Sequence, residues 1–243
     1  MKIVIVNDDG YEEPFHHDFV DHLKKLAFDV ISVTPSKNMS GFASAINIRN
    51  YVQFTEYESQ MYKVDGTSVD CALIGIGLAN YFWGKPDLLV SGINRGMNYG
   101  PCVIYSGTYA AARESSRQGI LAVSFSANET NSKLNRRILD SATLILEKIL
   151  SDKFDNKNAV LNVNFNSVLS DKLLIENEVI DKSYNLFNVP NIKSVDKGIV
   201  KYNFNKEFER LDFFTMIGLI HNLNNFSISS YDYREFKDWL NKL

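Results

Sequence analysis

Lys2-Ile3-Val4-Ile5-Val6-Asn7-Asp8-Asp9-Gly10 is an apolar run that ends in two adjacent carboxylates and a glycine. A short, β-branched, unbroken stretch of this kind is what a strand covered on both faces requires. With residues 2–6 as the first strand of a parallel sheet, Asp8 and Asp9 fall just past its carboxyl end, where open α/β sheets bind ligands. Two readings of the acidic pair stand side by side. Asn-Asp-Asp-Gly is a sound turn sequence, since Asn and Asp bond nearby backbone and Gly accepts positive φ. Two carboxylates on one turn also supply the charge that a hard divalent cation needs.

Later segments extend the sheet. Pro14 opens a helical repeat with Phe15, Phe19, Val20, Leu23, Leu26 and Ala27 as its apolar positions. A second strand over residues 30–34 ends at Pro35, so strand, helix and strand form the start of a right-handed βαβ unit. Residues 35–41 have loop composition, and residues 45–48, 51–55 and 61–64 read as short strands of a hairpin-like excursion. Thr67 or Ser68 can cap a helix over residues 69–82. Strands at 87–91, 121–125 and 159–163 alternate with helices at 109–117 and 134–150. The fold class is therefore α/β, a Rossmann-like doubly wound and mostly parallel sheet.

Past residue 166 Lys- and Asn-rich stretches take over, with strands expected at 173–180 and 199–204 and a last helix over 233–243. We divide the chain into a catalytic core, residues 1–165, and a C-terminal extension, residues 166–243, with too few apolar positions for a core of its own. The extension is expected to pack on the core and on a partner subunit as an oligomerisation element.

Bulk properties narrow the function. The chain has 243 residues, 45% hydrophobic and 23% charged, which is the composition of an ordinary globular domain. A net charge of −3 argues against a nucleic-acid polymer as partner, because phosphate neutralisation needs a basic excess. Neither a leader sequence nor an apolar run of membrane-spanning length is present, so a cytoplasmic location and no membrane partner are expected. Cys71 and Cys102 build neither a disulfide framework nor a zinc spacing and are read as small buried apolar residues.

Further segments share the carboxyl edge with the acidic pair. Ser40 follows the second strand and Asn94 follows the strand ending at Ser91; a hydroxyl and an amide carbonyl are neutral oxygens able to complete a shell begun by Asp8 and Asp9. Each is also at home in a plain loop. Ser106-Gly107-Thr108 precedes a helix of small residues, where free N–H groups and two hydroxyls make an anion site; simple helix capping is the competing reading. A metal and an anion site on one edge together point to phosphoester chemistry. His16, His17 and His22 on the first helix are read as a solvated cluster, with His16 a residue that could face substrate. Arg95 can steer a phosphate or form a surface ion pair, and Trp83 with Tyr81 and Phe82 is read as core.

Asn7-Asp8-Asp9-Gly10-Tyr11, Pro14, Ser40-Gly41, Gly66-Thr67 with Asp70-Cys71, the run from Ser91 to Gly100, and Tyr105-Ser106-Gly107-Thr108 occur in the order and approximate spacing of the SurE family of survival-protein nucleotidases, which the chain resembles over residues 1–126. The resemblance implies a metal-dependent phosphatase acting on nucleoside 5′- and 3′-monophosphates, sometimes on short polyphosphate, in dimers or tetramers that exchange C-terminal elements. It implies one divalent cation, Mg²⁺ or Mn²⁺ with Ca²⁺ as an occupant in crystals, held by Asp8, Asp9, Ser40 and Asn94. Asn98, Ser106, Gly107 and Thr108 would contact the phosphate, and Asp8, Asp9, Asn98 and Ser106 would carry catalysis. Attack by an activated water and attack by Asp8 itself both remain open. A non-catalytic nucleotide-binding regulatory module on the same fold is the alternative.

The chain also departs from the family pattern. Glu13-Pro14-Phe15-His16 stands where Ala-Pro-Gly-Ile is usual, Ser68 replaces a proline, Tyr109-Ala110 displaces a glycine, and residues 226–231 lack a family proline.

Overall fold

The computed structural model describes residues 1–128, 132–151, 159–165, 174–175 and 216–221. The first strand, β1 (Lys2–Val6), is followed by α1 (Pro14–Lys25), β2 (Asp29–Pro35), β3 (Phe54–Glu58), β4 (Met61–Val64) and α2 (Ser68–Phe82). Then come β5 (Leu88–Arg95), a single turn α3 (Cys102–Tyr105), α4 (Gly107–Arg117), β6 (Leu121–Ala127), α5 (Ser132–Ser151), β7 (Ala159–Phe165), β8 (Leu174–Ile175) and β9 (Met216–His221).

The nine strands among the described residues form one sheet in the order β3-β4-β2-β1-β5-β6-β7-β9-β8. Pairing from β4 to β7 is parallel throughout, and only β3 with β4 and β7 with β9 run antiparallel. From β1 the chain winds outward through β2 and β4, then returns to the other side of β1 to lay down β5, β6 and β7. The order of winding thus reverses between β1 and β5, which opens a crevice at their carboxyl ends. That crevice lies where Asp8, Asp9 and Asn94 leave the sheet.

Strand alternation sorts the apolar residues into two layers. Ile3, Ile5, Leu88 and Val90 pack with Phe15, Phe19 and Leu23 of α1 and with Ile138 and Leu146 of α5. Val4, Val6, Ile31 and Leu89 pack on the opposite face with Cys71, Ala72 and Ala79 of α2 and Ala111 of α4. A helix covers each face because both faces of the strands are apolar, and burial at about 25 cal/mol per Å² drives the stacking. Gly75 brings α2 against β1: a Cβ there would stand 2.6 Å from Val4 Cγ1.

Four expectations are corrected. Residues 45–48 form loop, not strand, because the Asp70 carboxylate takes the Asn47 backbone N–H at 3.2 Å and its Nδ2 at 2.6 Å, and Thr67 Oγ1 donates to Ala45 O at 2.6 Å. The strand expected at 51–55 begins three residues later, at Phe54. Tyr81 is 82% exposed and Phe82 44% exposed, and of the three aromatics only Trp83 packs against the cluster under α2. Cys71 is buried as expected, with burial pushing its thiol well up, whereas Cys102 is only partly buried. β8 and β9 extend the main sheet; the strand at 199–204, the terminal helix and residues 226–231 lie outside the described residues.

Candidate functional site

The turn after β1 is closed by Asn7 and Gly10, not by the carboxylates. Asn7 Nδ2 donates to Gly10 O at 3.0 Å and Gly10 N–H donates to Asn7 Oδ1 at 3.2 Å, with Gly10 at φ +106°. A turn and a ligand pair are therefore compatible: the turn is built, and Asp8 and Asp9 are left over for other work.

Asp8 is buried, and its Oδ1 accepts the Thr108 hydroxyl at 2.7 Å. Burial raises its carboxyl above the ordinary carboxylate range, opposed by that hydroxyl and by backbone N–H groups at the start of α4. Asp9 is half-buried and pushed up to about 7, first by burial and then by the charge of Asp8. The Arg95 N–H, 3.5 Å from Asp9 Oδ2, works the other way. The Arg95 guanidinium is committed elsewhere, to Glu13 Oε1 at 2.6 Å. Among the described residues no cationic side chain forms an ion pair with Asp8 or Asp9.

A desolvated acidic pair without an ion-paired partner is costly, and a divalent cation bound beside it would remove the cost. The donor set fits such an ion. Among the described residues no three His, Cys, Asp or Glu side chains group as a metal site, so the charge would come from two carboxylates and the rest of the shell from neutral oxygens. Asn94 Nδ2 donates to Gly96 O at 2.7 Å, leaving its carbonyl oxygen without a partner among the described residues. Ser40 is exposed and follows Met39, whose N–H donates to Asp8 O at 2.7 Å. Both neutral oxygens thus leave strands flanking β1, on the edge where the acidic turn lies.

The third element is the N-terminus of α4. Ser106 caps it, accepting from Tyr109 N–H at 3.0 Å, and Thr108 faces Asp8. Gly107 leaves no room for a side chain, since a Cβ would lie 2.7 Å from Asp8 Oδ2 and 2.9 Å from Ser68 Oγ. Ser68 is fully buried, and its hydroxyl has no hydrogen-bond partner among the described residues.

Asn98 is fixed by residues that the sequence reading passed over. Its N–H donates to Asn164 Oδ1 at 2.7 Å, and its carbonyl accepts from Asn162 Nδ2 at 2.7 Å and Asn164 Nδ2 at 3.2 Å. Its own Nδ2 donates to Ser126 Oγ at 2.9 Å and to Thr108 Oγ1 at 3.4 Å. A polar chain therefore runs from β7 through Asn98 and Thr108 to Asp8. The available signal was two asparagines at alternate positions of a buried strand, where Asn is otherwise depleted.

His16 is not solvated. It is fully buried, its Nε2 lies 2.7 Å from Ser32 Oγ, and burial holds its imidazole down at about 3. His17 is half-buried with Nε2 2.6 Å from Tyr11 O.

Among the described residues no helix is long and apolar enough to cross a membrane. The family model for survival protein SurE matches residues 3–183. A protein of a Thermoanaerobacter species, named 5′-nucleotidase SurE, is 35% identical over 168 residues, covering 68% of this chain and 65% of that protein. The same name belongs to a Geobacter metallireducens protein that is 31% identical over 173 residues, covering 71% of this chain and 68% of the relative. The match thus spans about two thirds of the relatives' length. The crystal structure of SurE protein from Aquifex aeolicus superposes with a TM-score of 0.74 at 23% identity, covering 98% of this chain and 99% of that one, and so shares the fold. Matched by the family model over three quarters of its length and by relatives above 30% identity, the chain belongs to the survival protein SurE family.

Proposed function

We propose that the chain is a divalent-cation-dependent phosphomonoesterase that releases phosphate from nucleoside 5′- and 3′-monophosphates. The observation that carries this reading is the desolvated Asp8–Asp9 pair, which forms no ion pair among the described residues, at the switch point beside the N-terminus of α4. The names of the relatives support the nucleotidase chemistry.

In this reading Asp8, Asp9, Ser40 and Asn94 hold one Mg²⁺ or Mn²⁺, which when bound neutralises the pair and polarises a phosphoryl oxygen. Asn98, Ser106, Gly107 and Thr108 line the phosphate position. The hydroxyl proton of Ser106 and the backbone N–H groups opening α4 meet the charge that develops on the phosphoryl oxygens. Thr108 holds Asp8 in one orientation, and Asn98 holds Thr108. Glu13 draws the Arg95 guanidinium aside, so that residue contributes its backbone N–H to Asp9.

A homo-oligomer working in the cytoplasm completes the proposal. Its support is apolar surface on the described part of the chain, notably Ile48 at 81% exposure beside the fully exposed Tyr51.

Hydrolysis of nucleoside monophosphates and of an aryl phosphate, with chelator and after restoring Mg²⁺ or Mn²⁺, tests the reading. Phosphate release that returns with the metal is expected. Nucleotide binding without turnover under any metal would instead favour the regulatory module.

A further inference from the structure

The residue before α1 bonds in three directions. The Glu13 N–H donates to Gly10 O at 3.3 Å, which fastens the acidic turn to the start of the helix. Its carboxylate oxygen Oε1 accepts the Phe15 N–H at 3.3 Å as the N-cap of α1, and the same oxygen lies 2.6 Å from Arg95 Nη2. Arg95 is the last residue of β5, directly after Asn94, and its N–H lies 3.5 Å from Asp9 Oδ2. One carboxylate thus ties the loop after β1 to the end of β5.

Capping alone does not account for a glutamate here, because Asn, Asp and Ser are the preferred caps; the longer side chain is what reaches Arg95. The two partners are unequal. The Glu13 side chain is 14% exposed and fixed by its cap bond, whereas the Arg95 side chain is 51% exposed. At Asp9, after burial and the charge of Asp8, the Glu13 charge raises the carboxyl and the Arg95 charge lowers it, so both charges reach the acidic turn. A guanidinium is planar, always charged and suited to gripping phosphate with two parallel N–H groups. Arg95 is rooted beside Asp9, yet its fork faces a carboxylate.

We propose that Glu13 is a specificity-determining residue: it withholds the Arg95 guanidinium from the phosphate position and so sets the site for a single phosphoryl group and against a chain of them. This rests on the phosphomonoesterase reading of the acidic turn. One divalent cation offsets Asp8 and Asp9, and Glu13 offsets Arg95, which leaves the site without surplus positive charge for a second or third phosphate. Releasing Arg95 adds that surplus, and polyanions gain most from it.

The test is calorimetric titration of inorganic phosphate and of tripolyphosphate into the full-length protein in excess Mg²⁺, for the wild type, Glu13→Ser, Arg95→Gln and the double variant. Serine keeps a preferred cap on α1 and removes the carboxylate. Glu13→Ser should bind phosphate about tenfold tighter, the scale of one charge-assisted hydrogen bond gained, and tripolyphosphate tighter by a larger factor. KM for a nucleoside monophosphate should fall while kcat does not rise, the mark of added uniform binding. With Arg95→Gln already in place, the same substitution should give at most about a twofold gain, since a screened charge is all that is then removed. Equal gains with and without Arg95 would assign the effect to the lost charge alone and overturn the proposal. Weaker or unchanged phosphate binding in Glu13→Ser, the result expected of a mere cap, would overturn it too, as would phosphate binding absent from both the wild type and Glu13→Ser. Glu13→Gln, which keeps the cap acceptor without the charge, is a second variant and should shift phosphate affinity in the same direction. A gain that depends on Arg95 in a protein releasing no phosphate from any phosphomonoester would support the restraint on Arg95 and sink the catalytic reading.

Discussion

Replacing Gly107 by alanine is the sharpest perturbation that the site offers. An alanine Cβ would lie 2.7 Å from Asp8 Oδ2 and 2.9 Å from Asp8 Cβ, where ordinary contact begins near 3.4 Å, so Asp8 must retreat by about 0.7 Å. Overpacking of this kind costs about 1–3 kcal/mol, and the helix preference for Ala over Gly returns about 0.5–1 kcal/mol. The net loss of about 0–2.5 kcal/mol corresponds to a Tm lower by at most about 10 °C, at roughly 2–4 °C per kcal/mol in a chain of this size. Turnover should suffer far more, because a displacement approaching 1 Å at a reacting centre costs about 100-fold. Gly77→Ala provides the control: it sits in α2 with nothing within 4 Å of the added Cβ, and should raise Tm by about 1–4 °C while leaving turnover alone. The assays are thermal unfolding and metal-restored phosphate release on both variants. Gly107→Ala with wild-type turnover and undiminished stabilisation by metal would refute the placement of Asp8 in the site.

Asp9→Asn should stabilise the metal-free protein at neutral pH. The native carboxyl titrates near 7 against 3.8 when unperturbed, so the folded state keeps a proton that the unfolded chain releases, and stability falls as pH rises from about 4 to 7. Denaturant melts in chelator should show a gain of about 1–2 kcal/mol for the variant at pH 7.5 and none at pH 4; identical pH profiles would dismiss the idea. His16 works in the opposite direction: native at about 3 and ordinarily 6.5, it gives stability that is present above pH 6.5 and lost as pH falls toward 3. His16→Gln should flatten that acid limb, by up to about 1.4 kcal/mol per pH unit, in urea melts between pH 4 and 6.5. Asn164→Ala removes the partner of the buried Asn98 N–H and should cost about 1–3 kcal/mol. A turnover loss beyond what unfolding explains is expected, and unaltered kinetics would separate the asparagine pair from the site.

The acidic pair was legible because one local fact placed it: a buried strand ends, and the residues just past its carboxyl end lie in the crevice. Its lack of an ion-pair partner was not legible, since Glu13 and Arg95 meet only after the β1 and β5 loops converge. Asn162 and Asn164 were invisible for the same reason, lying 64 and 66 residues from the backbone they hold. His16 was legible and misread. Position 16 falls on the stripe of Phe15, Phe19, Val20 and Leu23, and a helix face that buries its neighbours on both sides buries the imidazole too. Tyr81 and Phe82 fail in the opposite sense. α2 is apolar nearly all round, so periodicity could not say which of its residues would face solvent.

Residues 45–48 mark where local propensity lost to a single buried carboxylate. Ala-Ile-Asn-Ile has the apolar, β-branched composition of a strand. Asp70, at the third position of α2, already accepts the Thr67 N–H at 2.9 Å in closing the helix cap, and it takes two further bonds from Asn47. Charge-assisted bonds of this kind are about twice as strong as ladder bonds between neutral groups, so the segment folds back onto the cap instead of extending the sheet. The consequence is functional. A strand here would have sent alternate side chains to opposite faces, whereas the pinned loop keeps Phe42 and Ile46 on the wall of one cavity, next to Ser40 and the acidic turn. The same carboxylate that starts α2 thereby shapes the space beside the acidic turn.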